Sequence, residues 1–295
     1  MSNENSPKVT VIIPCYNREK FVNETIDSAL SQDYPNIEVV AVDDGSTDAT
    51  PVILKSYGGR IRVLEHPGRA NKGQSAAINL AMRSTNGEYV AILDSDDVWE
   101  KEKIGRQVRF LEANRDCGLV YVNGFAMDEK GKRLYRLFKP GHVETNSPER
   151  LLIDCYMFVP SCSLVRRSAF ETAGEFDEGL RSAQDHDMAL RLAEITRFGY
   201  LDEALWYYRR HPDTQSGKHS RRRWDAGFRI LDKACKRRNY SSSARRKRLA
   251  VLNFRLGQCF AEEGKFLKAG LRLALAFMLD PLRAVRVICR AEKIL

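Results

Sequence analysis

The chain is predicted to fold as an α/β protein: a mostly parallel sheet with helices on both faces, followed by a basic helical extension. Three observations predict this. Short apolar runs alternate with helix-like segments through the first half of the chain. Loops rich in Asp, Asn and Gly follow those runs, at the place where open α/β sheets bind ligands. The charge then changes sign: residues 1–208 hold 25 Lys and Arg against 32 Asp and Glu, and residues from Arg209 onward hold 23 against 7.

Val9 to Pro14 reads as a buried strand ended by proline, with Cys15 to Arg18 as the loop after it. Phe21, Ile26, Ala29 and Leu30 mark one face of a helix, stopped by Ser31 to Pro35. Ile37 to Val42 is a second strand running into Asp43-Asp44-Gly45-Ser46-Thr47-Asp48. Gly45 permits a tight turn, and Ser46 to Asp48 offer caps for a helix through about Tyr57. Arg60 to Leu64 is a third strand. Asn71-Lys72-Gly73-Gln74-Ser75 then opens a small-residue helix at Ala76. The turn Asn86-Gly87 precedes a fourth strand, Tyr89 to Leu93. Right-handed crossovers put the loops after Pro14, Val42 and Leu93 along one edge.

That fourth strand ends in Asp94-Ser95-Asp96-Asp97. Packed carboxylates repel unless a cation joins them, and hard divalent ions take one or two carboxylates plus substrate phosphates. An Asp-x-Asp at this point suits a metal on a diphosphate, although acidic turns are commonly just solvated. Further on, Gly118 to Val122 and Cys162 to Val165 read as strands, and residues 123–147 as a flexible loop. Gln184-Asp185 opens a helix carrying Leu190 and Ala193; a carboxylate there also complements a helix dipole. Tyr200 to Tyr208 is a last strand before Arg209-Arg210-His211.

Composition sets the outer limits. With 43% hydrophobic and 29% charged residues, the chain is an ordinary globular one with room for one large domain and an appendage. The expected division is a loose start at 1–7, an α/β domain at 8–216 and a basic extension at 217–295. Seven cysteines, odd in number and without metal-site spacing, fit a reduced cytoplasmic protein. The polar start has no signal-peptide core, and no run of about 18 uncharged apolar residues exists. The tail's net charge suits a nucleic-acid or anionic-membrane contact, or simply a solvated helical face.

Taken together these residues resemble the family 2 glycosyltransferases of the GT-A fold. The resemblance spans about residues 8–216. It rests on Pro14 with Tyr16-Asn17, Asp43-Asp44-Gly45-Ser46-Thr47-Asp48, Asn71-x-Gly73 with Asn79, and Asp94-Ser95-Asp96. It continues through Gly174-x-Phe176-Asp177-Glu178, Gln184-Asp185 before Leu190-Arg191-Leu192, and Tyr208 to His211.

The family resemblance implies transfer of a sugar from a nucleoside-diphosphate sugar with inversion, helped by Mn²⁺ or Mg²⁺. It places Pro14, Tyr16, Asn17, Asp43, Asp44, Gly73, Asp94, Ser95 and Asp96 at the nucleotide sugar. It gives Asp94, Asp96 and His211 to the metal, and makes Asp185 the catalytic base. Gln184 departs from the Glu of many relatives. Ser220-Arg221-Arg222-Arg223-Trp224 lacks the Gln of the processive members' Gln-x-x-Arg-Trp, which points to addition of one sugar. The expected acceptor is a sugar or lipid-linked sugar of cell-surface polysaccharide or glycolipid assembly, with no nucleic-acid partner. The protein is then cytoplasmic, or peripheral on the inner membrane face.

Two other readings fit less well. A sugar-nucleotide nucleotidyltransferase would want a Gly-rich loop after the first strand, and Cys15 to Arg18 has none. A catalytically weak scaffold would have no need of Asp94, Asp96 and Asp185. In the tail, Leu256-Gly257, Phe260, Gly264, Ala269, Leu273, Ala276 and Pro281 are spaced as in a single tetratricopeptide repeat, or as in an ordinary helical hairpin.

Overall fold

The computed structural model describes residues 6–156, 160–212 and 220–288. The chain divides into two units: Met1–Asn146 with Phe158–His211, and Ser147–Met157 with Pro212–Leu295. The expected boundary at 216/217 and residues 1–5 lie outside the described residues. The carbonyls of Ser6 and Pro7 accept hydrogen bonds from Asn36 and Tyr34.

The first unit begins with β1 (Val9–Cys15), α1 (Val22–Leu30), β2 (Ile37–Asp43), α2 (Thr50–Ser56), β3 (Arg62–Glu65), α3 (Gln74–Ser84) and β4 (Tyr89–Ile92). These strands lie in the order β3-β2-β1-β4, all parallel. Every residue of β1 is buried, as its unbroken apolar run requires. Helices α1 and α2 carry the chain outward from β1 to β3. Helix α3 brings it back to β4, so right-handed crossovers put it on the other face. The strand order therefore reverses between β1 and β4. This is a topological switch point, and a crevice opens there beyond the strand ends.

The chain continues through β5 (Val98–Trp99), α4 (Lys103–Ala113), β6 (Cys117–Met127), β7 (Arg133–Arg136), α5 (Pro148–Ile153), β8 (Ser163–Arg166), α6 (Arg167–Ala173), α7 (Gln184–Ile195) and β9 (Arg197–Arg209). The sheet extends as β4-β8-β6-β9-β5, and β7 pairs on β6. Strand β8 is antiparallel to both neighbours, whereas β6 and β9 run parallel.

Two expectations are corrected. Proline does not end the first strand: Pro14 stays in register with Val42, and Cys15 with Asp43. The carbonyl of Cys15 faces β2, where it accepts from Asp44 N–H. The missing N–H of Pro14 therefore faces the β4 side, where pairing has already stopped at Ile12 and Ile92. The last ladder bond on that side runs from Leu93 N–H to the Ile12 carbonyl at 2.9 Å, so the proline stands where the next one would form and the strand continues on its β2 side alone. Residues 123–147 are not one loop. Asn123–Met127 prolongs β6, and Arg133–Arg136 returns as β7. All four β7 residues are exposed, so its pattern carries no buried face to read.

The second unit is helical: α5 with α8 (Ser220–Arg237), α9 (Ser242–Glu262), α10 (Phe266–Leu279) and α11 (Pro281–Ile288). Leu256, Phe260 and Ala269 form its core, with Trp224 and Phe228 packed on them. Gly257 explains how α9 and α10 come so close, because a Cβ there would lie 2.8 Å from Cγ of Leu273. Arg248, 3% exposed, donates to the Ile153 carbonyl at 3.1 Å and ties α5 to α9. No described helix is long and apolar enough to cross a membrane.

Candidate active site

The loops after β1, β2 and β4 meet at the switch point. After β1, Asn17 adopts φ 51°, and its side-chain oxygen accepts from Thr47 N–H at 2.8 Å. Its own N–H donates to the Ser46 hydroxyl at 3.1 Å. Asn17 thus stitches the first loop to the second. Tyr16 beside it remains 43% exposed, which leaves its ring open to a planar ligand.

After β2, the buried Asp43 accepts from Ser46 N–H at 3.0 Å and from Arg69 at 3.4 Å. Asp44 spends both carboxylate oxygens on the N–H groups of Lys72 and Gly73, each at 2.8 Å. It therefore shapes the 71–73 loop. His66 stands 3.6 Å from the same carboxylate. Gly45 has φ 77°, and a Cβ there would lie 2.5 Å from the Arg69 carbonyl oxygen. Only glycine lets the β2 loop and the 69–71 backbone approach this closely.

After β4, the acidic run turns sharply and Asp97 N–H donates to the Asp94 carbonyl at 3.0 Å. Ser95 is buried. Asp96 Oδ2 meets Arg18 Nε at 3.3 Å and His211 Nε2 at 3.0 Å. His211 arrives because β5 pairs antiparallel with β9, Val98 opposite Tyr207. Residues after β9 are therefore laid beside residues before β5. Arg209 secures this join, donating its N–H to Asp97 Oδ1 at 3.0 Å and its Nε to the Asp96 carbonyl at 2.9 Å.

Asp185 lies in the first turn of α7. A chain of two amides links that helix end to Asp94. Gln184 Nε2 donates to Gln74 Oε1 at 2.7 Å, and Gln74 Nε2 donates to Asp94 Oδ1 at 2.7 Å. Just before α7, Ala183 takes the left-handed conformation, φ 59°, which is strained for a residue with a Cβ.

The charges explain what the crevice can hold. The Asp94 carboxyl is pushed up to about 7, first by burial and then by the negative charges of Asp96 and Asp185. Asp97 is raised as well, by burial first and then by Asp96 and Asp94. Such a surplus of acceptor oxygens fits a hard divalent cation. Among the described residues, no group of three or more His, Cys, Asp or Glu is arranged to hold a metal by itself.

The structure thus brings Tyr16, Asn17, Asp43, Asp44, Gly73, Asp94, Ser95, Asp96 and His211 to one edge, with Pro14 in the strand beneath. Asp185 joins them through the amides. Sequence reading missed Arg18, Gln74, Arg209 and Ser161. The Ser161 hydroxyl accepts from Asp94 N–H at 3.0 Å, and its carbonyl accepts from the Trp99 indole at 2.8 Å. Gln74 at a helix start was the one legible hint. Nothing local marks Ser161, which reaches the site through long-range packing.

The fold and its crevice define the GT-A class of α/β proteins. The family model for glycosyl transferase family 2 matches residues 10–174, and the chain belongs to this family. An uncharacterized glycosyltransferase of Rickettsia prowazekii is 35% identical over 213 residues, which are 70% of this chain and 65% of that protein. The chain therefore spans just under two thirds of that relative. TuaG of Bacillus subtilis, a glycosyltransferase assigned to teichuronic acid biosynthesis, is 32% identical across 69% of this chain and 79% of its own length. Among solved structures, residues 1-349 of S. aureus TarS in complex with UDP superpose with a TM-score of 0.67 at 24% identity, covering 94% of this chain and 82% of that one. The mannosyltransferase PcManGT of Pyrobaculum calidifontis, with GDP-Man and Mn²⁺, gives 0.60 at 22% identity, covering 98% and 81%.

Proposed function

We propose that the protein transfers one sugar, with inversion, from a nucleoside-diphosphate sugar to an acceptor hydroxyl. The observation that carries this is the amide chain Asp94–Gln74–Gln184. It connects the acidic turn at the switch point to the helix start that bears Asp185, so a donor-side group and a base can act on one bond. Tyr16, Asp43 and the 71–73 loop hold the base and ribose, with Asn17 and Asp44 keeping the pocket in shape.

Inversion needs a base on the face opposite the leaving group, and Asp185 takes the proton of the attacking hydroxyl in this reading. Asp94, Asp96 and His211 would hold the divalent ion together with the donor's phosphate oxygens, with Arg18 beside them. When bound, Mn²⁺ or Mg²⁺ supplies Lewis-acid neutralisation of the charge that develops on the departing diphosphate. The complexes of TarS with UDP and of PcManGT with GDP-Man and Mn²⁺ support a nucleotide-sugar donor and such an ion. The name of TuaG supports a place in cell-surface polysaccharide assembly. A sugar or lipid-linked sugar is the acceptor this implies, and the basic helical unit suits an anionic membrane surface.

A panel of nucleotide sugars tests the reading. One donor should release its nucleoside diphosphate in the presence of Mn²⁺ or Mg²⁺, faster when acceptor is added. No release from any uridine or guanosine diphosphate sugar, with either ion, would reject it.

A further inference from the structure

Helix α10 is built inside out. Its buried residues are the small ones, Ala269 and Ala276, set on α9. Leu273 packs at Gly257, but other large side chains face away: Leu267 is 80% exposed, Leu271 67% and Met278 70%. Positions 267, 271, 274, 275 and 278 follow the i, i+4, i+7, i+8, i+11 spacing of a single helical face. Leu282 on α11 is 74% exposed and carries the apolar surface past the bend at Asp280. Single exposed leucines are normal on soluble proteins, but a contiguous stripe marks a surface that meets something.

Two properties decide what it meets. The helix has 14 residues, short of the roughly 20 needed to span a bilayer. An apolar occupant must therefore lie along it. The tail is also strongly basic in composition, with 23 Lys and Arg against 7 Asp and Glu from Arg209 onward. A second copy would bring the same excess of positive charge against this surface, which disfavours self-association. An anionic lipid surface complements it and takes up exposed leucines at the boundary between headgroups and acyl chains.

We propose that the face formed by Leu267, Leu271, Met278 and Leu282 docks the protein on an anionic bilayer, flat in its interface. Lys268 and Lys265, the latter also paired with Glu263 at 2.5 Å, flank the stripe as headgroup contacts. This goes beyond sugar transfer and does not depend on it.

Vesicle co-sedimentation of the 295-residue chain tests the proposal. Vesicles of phosphatidylcholine and phosphatidylglycerol in equal parts should pellet the protein at low salt. Pure phosphatidylcholine vesicles should leave most of it in solution, and high salt should release it. The triple variant Leu267→Ser, Leu271→Ser, Met278→Ser should lose pelleting, by up to about tenfold for each apolar side chain removed. Lys265→Glu with Lys268→Glu should weaken binding and flatten its salt dependence. Circular dichroism melts check that each variant stays folded. Unchanged pelleting of the triple variant overturns the proposal. So does a wild-type protein that ignores anionic vesicles. A dimer seen by light scattering, and lost in the triple variant, would assign the face to a second copy.

Discussion

The sheet unit and the helical unit place their large apolar and charged side chains in opposite ways. In the sheet unit, β1 is wholly buried, and the carboxylates of Asp94, Asp96 and Asp97 gather at one edge. In the α9–α10 hairpin, the buried residues of α10 are Ala269 and Ala276, while Leu267, Leu271 and Met278 face out. Crowded carboxylates cost stability and are kept where a cation or a proton can act on them. Exposed leucines cost solubility and are kept where a surface covers them. Each unit thus departs from ordinary packing at one place, and those two places are the functional candidates.

The sharpest way to break this comparison is at the acidic edge. Asp96→Ala removes the group that Arg18 and His211 share. Metal-dependent transfer is expected to fall below detection, while vesicle binding is unchanged. Near-normal turnover with retained Mn²⁺ dependence would remove Asp96 from the metal. Asp185→Asn is expected to keep donor affinity and to lose turnover by roughly 10²–10⁴-fold. Separate measurement of donor Kd and kcat checks this, since a loss of donor affinity would move Asp185 to the donor side.

The next effect concerns the core of the sheet unit. Lys103 is fully buried, its Nζ donating to Gln107 Oε1 at 2.7 Å and lying 4.1 Å over the Trp99 ring. Burial lowers its pKa from 10.5 to about 7. Between those values the unfolded chain binds the proton more readily, so stability rises as pH climbs from about 7 to about 10.5. Lys103→Met should abolish this climb and stabilise the protein at neutral pH by on the order of a few kcal/mol. Urea melts of both proteins at about pH 7 and about pH 10 measure it; parallel pH profiles would show that the ammonium is not desolvated.

The smallest effects sharpen the contrast within the hairpin. Gly257→Val forces a Cβ toward Leu273 and should destabilise the helical unit by about 1–3 kcal/mol. Leu271→Ser, close to Leu273 in sequence but on the exposed face, should change stability by less than about 0.5 kcal/mol. Thermal melts of the two variants compare them directly. Equal losses would mean that Leu271 is covered in solution.

The legibility of the molecule follows the same division. Strands β1, β2 and β4 were readable because they are buried on both faces and so are continuous apolar runs. Asp43, Asp94, Asp96 and Asp185 were readable because each follows a strand or opens a helix. Strand β7 was not, because its residues are all exposed. The inverted face of α10 was visible only as apolar composition, since Leu and Ala are both apolar and only packing decides which is covered.

By itself, then, the sequence determined the alternation of strands and helices, the acidic loops at their ends and the basic sign of the tail, all of which are local in the chain. Tertiary structure alone decided the partners. Arg209 reaches Asp97 because β5 and β9 pair, Ser161 reaches Asp94 across long-range packing, and Gln184 meets Gln74 because α7 and α3 start at the same edge. Hydrogen bonds between residues about a hundred positions apart are set by strand register and helix placement, and no local pattern carries that information.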